Sequence, residues 1–111
     1  MNVHDEMEKT YPEMMNEFKR IQLDQYDTFC KKMHDYGTDN ISMGMDLYIP
    51  DNVTFATTGI IIRINDKIQR LINLVIKKKS NPQNEPIIDA FKDTSVYCII
   101  AQIIACNKWG K

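Results

Sequence analysis

Three aspartates carry the first chemical possibility in this sequence. Asp89 and Asp93 stand at i and i+4 of a predicted helix, so both carboxylates project from one face, one turn apart. Two carboxylates at this spacing can share a divalent metal. Mg²⁺ takes oxygen ligands and keeps several waters, so one or two carboxylates plus substrate phosphates suffice to hold it. Spacing alone favours a plainer account, with Asp89 stabilising a helix start and Asp93 a solvated charge. Asp66 belongs to an earlier charged stripe, Arg63, Asp66, Lys67 and Arg70. Such stripes are mostly exposed faces with i, i+3 and i+4 pairs. The chemical alternative makes Asp66 a metal ligand, with Lys67 and Arg70 facing phosphate oxygens.

A third cluster, Lys32, His34, Tyr36, Gly37 and Asn40, closes the first long predicted helix. Lys32 and Tyr36 lie one turn apart and can meet a phosphate and a base or sugar. A simple helix stop explains the cluster better on local grounds. Met43 and Met45 suit an adaptable pocket or a core. The four glycines are scattered, which excludes a P-loop and a dinucleotide fingerprint. No catalytic triad suggests itself.

The elements that must position these residues read as helices. Residues 1–9 look like a flexible leader, and 10–111 like a single domain. Thr10-Tyr11-Pro12-Glu13 has the form of a capping box. Met14, Phe18, Ile21, Phe29 and Met33 then recur at helical spacing towards Tyr36, and Gly37 is a natural left-handed stop. Residues 38–56 break the pattern and predict a lid or a short helical insertion. Ile61, Ile64, Ile68, Leu71 and Val75 alternate steps of three and four, an apolar stripe opposite the charged one. The stripe outruns a strand's usual length, so helix is expected from about Gly59, over a competing strand through 53–64. Lys77, Lys78 and Lys79 end it with the sign the helix dipole favours. Pro86 opens a third helix to about Lys108, with Phe91, Ser95, Cys98, Gln102 and Ala105 on one face. Asp89, Asp93, Val96, Tyr97, Ile100 and Ile104 form an adjacent face. The expected fold is all-α, a bundle of three long helices completed by the insertion or by a second subunit.

Bulk properties narrow the partners. With 14 basic and 15 acidic residues the formal charge is -1, which argues against a protein that coats a nucleic acid polymer. A single nucleotide remains compatible with that balance. Cys30, Cys98 and Cys106 are read as reduced core or edge residues. Neither His4 nor His34 has zinc-ligand spacing. The acidic stretch from Met1 to Lys9 predicts no secretory signal, and no apolar run is long enough for a membrane span. The expected location is cytoplasmic.

Three motifs occur in order: Lys32-Met33-His34-Asp35-Tyr36-Gly37, then Arg63-Ile64-Asn65-Asp66-Lys67-Ile68-Gln69-Arg70-Leu71, then Asp89-Ala90-Phe91-Lys92-Asp93-Thr94-Ser95-Val96-Tyr97. Together they resemble the nucleotide modification associated domain family of phages and bacteria, related to MazG-like all-α nucleoside triphosphate pyrophosphatases. The resemblance covers about residues 20–105. It implies a helical homodimer or higher homo-oligomer, in the host cytoplasm if phage-encoded. It also implies Mg²⁺-dependent cleavage between the α- and β-phosphates of a nucleoside triphosphate or modified nucleotide. Asp66, Asp89 and Asp93 would then hold the metal and serve catalysis. Lys32, Lys67 and Arg70 would face phosphates, with Tyr36 or Tyr97 near the base or sugar. The MazG-like pattern places Glu-x-x-Glu on one helix and Glu-x-x-Asp on a later one. Here Asp66 is flanked at three residues by Arg63 and Gln69, and Ala90 stands three before Asp93. Glu17 and Asp24 are candidates to supply further ligands. The thinner acidic set motivates an alternative: a protein that binds or sequesters a nucleotide without cleaving it.

Overall fold

The structure, a computed structural model, describes residues 2–78 and 80–111, and among them every regular element is helical. The chain divides into two compact units, residues 1–35 and 36–111. The boundary falls inside the stretch expected to form one domain.

The first unit holds α1 (Val3–Thr10) and nearly all of α2 (Pro12–Tyr36). Val3–Thr10, expected as leader, is helical because Asn2 Oδ1 accepts from Asp5 N at 2.9 Å and acids occupy the first turn. The Thr10 hydroxyl donates back to Glu6 O at 2.8 Å. It therefore closes α1 and does not cap α2 as the capping-box pattern suggested. Tyr11 leaves helical backbone, and Pro12 opens α2 where its missing N–H costs nothing. No residue of either helix is buried. α2 stops where expected, with Gly37 at φ +72°, a conformation that only glycine adopts freely.

The second unit holds α3 (Asp39–Ser42), α4 (Pro50–Leu71), a π-helical turn (Ile72–Ile76) and α5 (Ile87–Ala105). The 38–56 stretch does contain a short helix, α3. Its last third belongs to α4, which starts nine residues before the expected Gly59 and displaces the competing strand. The local reason lies at Asp46, whose carboxylate accepts from Tyr48 N at 2.9 Å and whose carbonyl accepts from the Asn52 side chain at 3.0 Å. Ile49 is extended before Pro50, and proline then sets the first helical turn. The β-branched run is accommodated because Thr58 bonds back to Thr54 O at 2.7 Å and Ala56 and Ile60 pack inward. Lys77 closes the π-helical turn, and Lys79, part of the predicted basic stop, lies outside the described residues. α5 begins just after Pro86, as expected, and ends at Ala105, three residues early.

α4 and α5 pack antiparallel. Arg63 meets Tyr97, Lys67 meets Asp93 and Arg70 meets Glu85 and Pro86, so rising numbers on α4 oppose falling numbers on α5. Ala56 and Ile60 on α4, and Ala90, Ile100 and Ile104 on α5, are buried. The inward positions of α4 are thus Ala56, Ile60, Arg63, Lys67 and Arg70, spaced by fours and threes. The charged stripe faces α5, and the expected core stripe does not: Ile61, Ile68 and Val75 are 59%, 43% and 41% exposed. All three cysteines are free and exposed, so none is a core residue.

Trp109, which sequence reading passed over, anchors the segment after α5. Its ring is buried and Nε1 donates to Thr38 O at 3.1 Å. Left-handed Asn107 and Gly110 turn the chain back to make this contact. Trp109→Phe keeps most of the apolar contact and removes that bond, so urea denaturation is expected to show a loss of about 1 kcal/mol.

Candidate functional site

The α4–α5 seam changes character along its length. Towards Ala56 and Ile104 it is apolar; from Arg63 to Arg70 it is ionic. Lys67 Nζ lies 3.0 Å from Asp93 Oδ2, with each side chain 25% exposed. Arg63 stands over the Tyr97 ring, 5.9 Å from its centroid, and donates to Asn40 O at 2.8 Å. Arg70 donates to Glu85 O and, at 3.4 Å, to Pro86 O, tying the carbonyls ahead of α5 to α4. Beside Arg63, Asn40 Oδ1 is buried without a hydrogen-bond partner. An orphaned acceptor of this kind costs about 1–3 kcal/mol.

The structure therefore brings together Lys67, Arg70, Asp93 and Tyr97 of the sequence-predicted residues, and adds Arg63 and Asn40. Arg63 was read as part of an exposed stripe, and its i, i+4, i+7 spacing with Lys67 and Arg70 was the available signal. Asp66 is exposed and Asp89 half-buried. At about 100° per residue, both fall on one flank of the α4–α5 pair, to one side of the seam. Tyr36 opens the second unit and is exposed. Lys32, Glu17 and Asp24 belong to the first unit, where the Glu17 carboxylate accepts from Arg20.

Among the described residues no three His, Cys, Asp or Glu side chains gather to hold a metal ion. Asp93 already accepts a hydrogen bond from the Lys67 ammonium. Ala90, three residues before Asp93, is fully buried, so that position serves packing.

No family model, curated protein or solved structure matches this chain. The chemistry of the seam therefore rests on its own geometry. Among the described residues no helix is long and apolar enough to cross a membrane.

The Asp93 carboxylate, by accepting its hydrogen bond, holds the Lys67 pKa above the ordinary 10.5; burial opposes this and the Asp93 charge adds to it. A pKa raised by folding stabilises the fold at every pH below the unfolded value and ceases to do so as pH climbs through the folded one. The stability difference between wild type and Lys67→Met is thus expected to stay constant from neutral pH to about pH 10 and to shrink above it. Urea midpoints measured across that range check this.

A separate cavity of about 260 Å³ lies between α3, the loop before α4 and the tail, lined by Asp39, Ser42, Asp46, Tyr48 and Trp109 among others. The Lys111 ammonium sits 3.6 Å from the centroid of the Tyr48 ring. The cavity falls below the roughly 300–1,000 Å³ typical of ligand pockets, so it is too small for a nucleoside triphosphate.

Proposed function

We propose that the ionic half of the α4–α5 seam binds the phosphates of a nucleoside triphosphate or modified nucleotide, and that the protein retains this nucleotide without cleaving it. The observation that carries the reading is the convergence of Arg63, Lys67 and Arg70 on one edge, where the acids acting on Lys67 are Asp93 and Glu85. Three cations against these two acids leave an excess of positive charge. Arginine keeps donors free after a carbonyl contact, and these suit phosphate oxygens. A phosphate would compete with Asp93 for Lys67. Tyr97, already paired with Arg63, offers a ring for the base or sugar. The second and third of the motifs that resemble a nucleotide-handling family lie on these same helices, the first at the end of α2.

A second reading is Mg²⁺-dependent pyrophosphohydrolysis, with Asp66, Asp89 and Asp93 as metal ligands. Its support is that Asp66 and Asp89 share a flank and that Asp89 and Asp93 sit one turn apart. Calorimetric titration with canonical and modified nucleoside triphosphates, with Mg²⁺ and then with EDTA, separates the two. Retention of intact nucleotide in EDTA is expected. Pyrophosphate release dependent on Mg²⁺ would establish the second reading, and no binding by any nucleotide would overturn both.

A further inference from the structure

We infer that the cavity beside Trp109 binds a small aliphatic amine through its ammonium group. Every residue lining the cavity belongs to the second unit, and the inference does not depend on the nucleotide reading. The cavity holds about 260 Å³. At ~30 Å³ for a water molecule, that is room for a ligand of roughly eight heavy atoms.

Charge sets the sign of the ligand. Asp39 and Asp46 line the cavity, and neither forms an ion pair among the described residues. Asp46 Oδ1 accepts from Tyr48 N at 2.9 Å, which fixes the carboxylate without neutralising it. Among the described lining residues the one cation is Lys111, and its ammonium is directed elsewhere. It donates to Asn107 O at 3.0 Å and to Asn107 Oδ1 at 3.2 Å, and stands over the Tyr48 ring. Two carboxylates against one ammonium leave the cavity net negative.

The remaining lining narrows the cation to an organic one. The Tyr48 face already takes an aliphatic ammonium, at 3.6 Å from the ring centroid, as a cation–π contact. The stem and head of Lys111 are those of butylamine, so this side chain is a tethered member of the ligand class. Ser42, only 6% exposed, supplies a buried oxygen. Its hydroxyl meets Thr38 O at 3.4 Å and Asp39 Oδ1 at 3.5 Å, both beyond the ~2.5–3.0 Å of a good O–H···O bond. An ammonium carries three donors and no acceptor, so it can serve this oxygen and the two carboxylates together. Half-buried Met45 and Leu47 and the buried Trp109 ring offer an apolar wall for the carbon chain. A bare metal ion would leave that wall unused.

Trp109 is the only tryptophan in the sequence, so its fluorescence reports on this cavity. The test is titration of the full chain with n-butylammonium chloride at neutral pH and constant ionic strength. A saturable change in emission is expected at about millimolar concentration, the range that a few contacts give so small a ligand. Sodium butyrate, a similar chain of opposite charge, should give none. Asp46→Asn keeps an oxygen to accept from Tyr48 N and removes only the charge; it is expected to weaken amine binding about fivefold. Lys111→Met clears the Tyr48 face and removes a like charge; it is expected to tighten binding about fivefold. A merely structural role would not move affinity in opposite directions. Lys111→Met also keeps the test decisive where Asp46→Asn loses structure. Absence of a saturable response to butylamine would overturn the inference, as would an equal response to butyrate. So would an Asp46→Asn chain that binds as tightly as wild type, or a response to Ca²⁺ in place of the amine.

Discussion

Lys67→Met is expected to weaken binding of a nucleoside triphosphate by about 10–100-fold, and Asp93→Asn to strengthen it by about tenfold. The first figure follows from losing one charge-assisted hydrogen bond to phosphate, worth about 1.5–3 kcal/mol. The second follows from the pair itself. Lys67 and Asp93 are 3.0 Å apart and each is 25% exposed, so the ammonium spends much of its field on the carboxylate. An arriving phosphate must displace that carboxylate or tolerate a like charge beside it. Asparagine removes the repulsion and keeps the shape. Metal-dependent cleavage predicts the opposite sign for Asp93→Asn, because a ligand oxygen and its charge are lost. Calorimetry on the two variants therefore reads mechanism from direction as well as size. Loss of binding in both variants would sink the phosphate-seam proposal and favour a metal site.

Ile60→Ala is expected to lower the unfolding free energy of the second unit by about 2–5 kcal/mol. Ile60 is 1% exposed and is the largest fully buried side chain among the described residues. It lies on the apolar half of the seam, the half that also buries Ala56, Ile100 and Ile104. The seam's other half is ionic, and partly exposed ion pairs contribute little to stability. Apolar packing of α4 on α5 is therefore concentrated in few residues, and a cavity there cannot be offset nearby. With total stability of a small domain near 5–15 kcal/mol, such a loss should appear as a large fall in urea midpoint. A change under about 1 kcal/mol would show that Ile60 sits in a site able to collapse around the smaller side chain.

The limits of sequence reading are clearest on α4. Two stripes ran along it with the same helical spacing, Ile61–Ile64–Ile68–Leu71–Val75 and Arg63–Asp66–Lys67–Arg70. Hydropathy made the first the natural core and the second the natural surface. In the second unit the polarity is reversed, since the partner helix presents Asp93 and Tyr97 to the cations. Ala90 shows the same limit. As a residue type it reads only as a missing acid; in the fold it is a buried packing position on α5. Trp109 lay outside every periodic segment, and its link to Thr38 spans 71 residues of sequence, which no local pattern reports.

The sequence by itself determined the helical class and several of the boundaries. Periodicity near 3.6, glycine at position 37 and prolines at 50 and 86 act through backbone geometry that is local to each residue. It also determined that Asp89 and Asp93 would share a helix face, because one turn is one turn in any context. Only the tertiary structure decided which side of α4 turns inward. A helix with an apolar and a charged stripe can bury either one, and the choice belongs to the helix that packs against it. That choice joined Lys67 to Asp93, and left Ile61, Ile68 and Val75 of the more apolar stripe exposed.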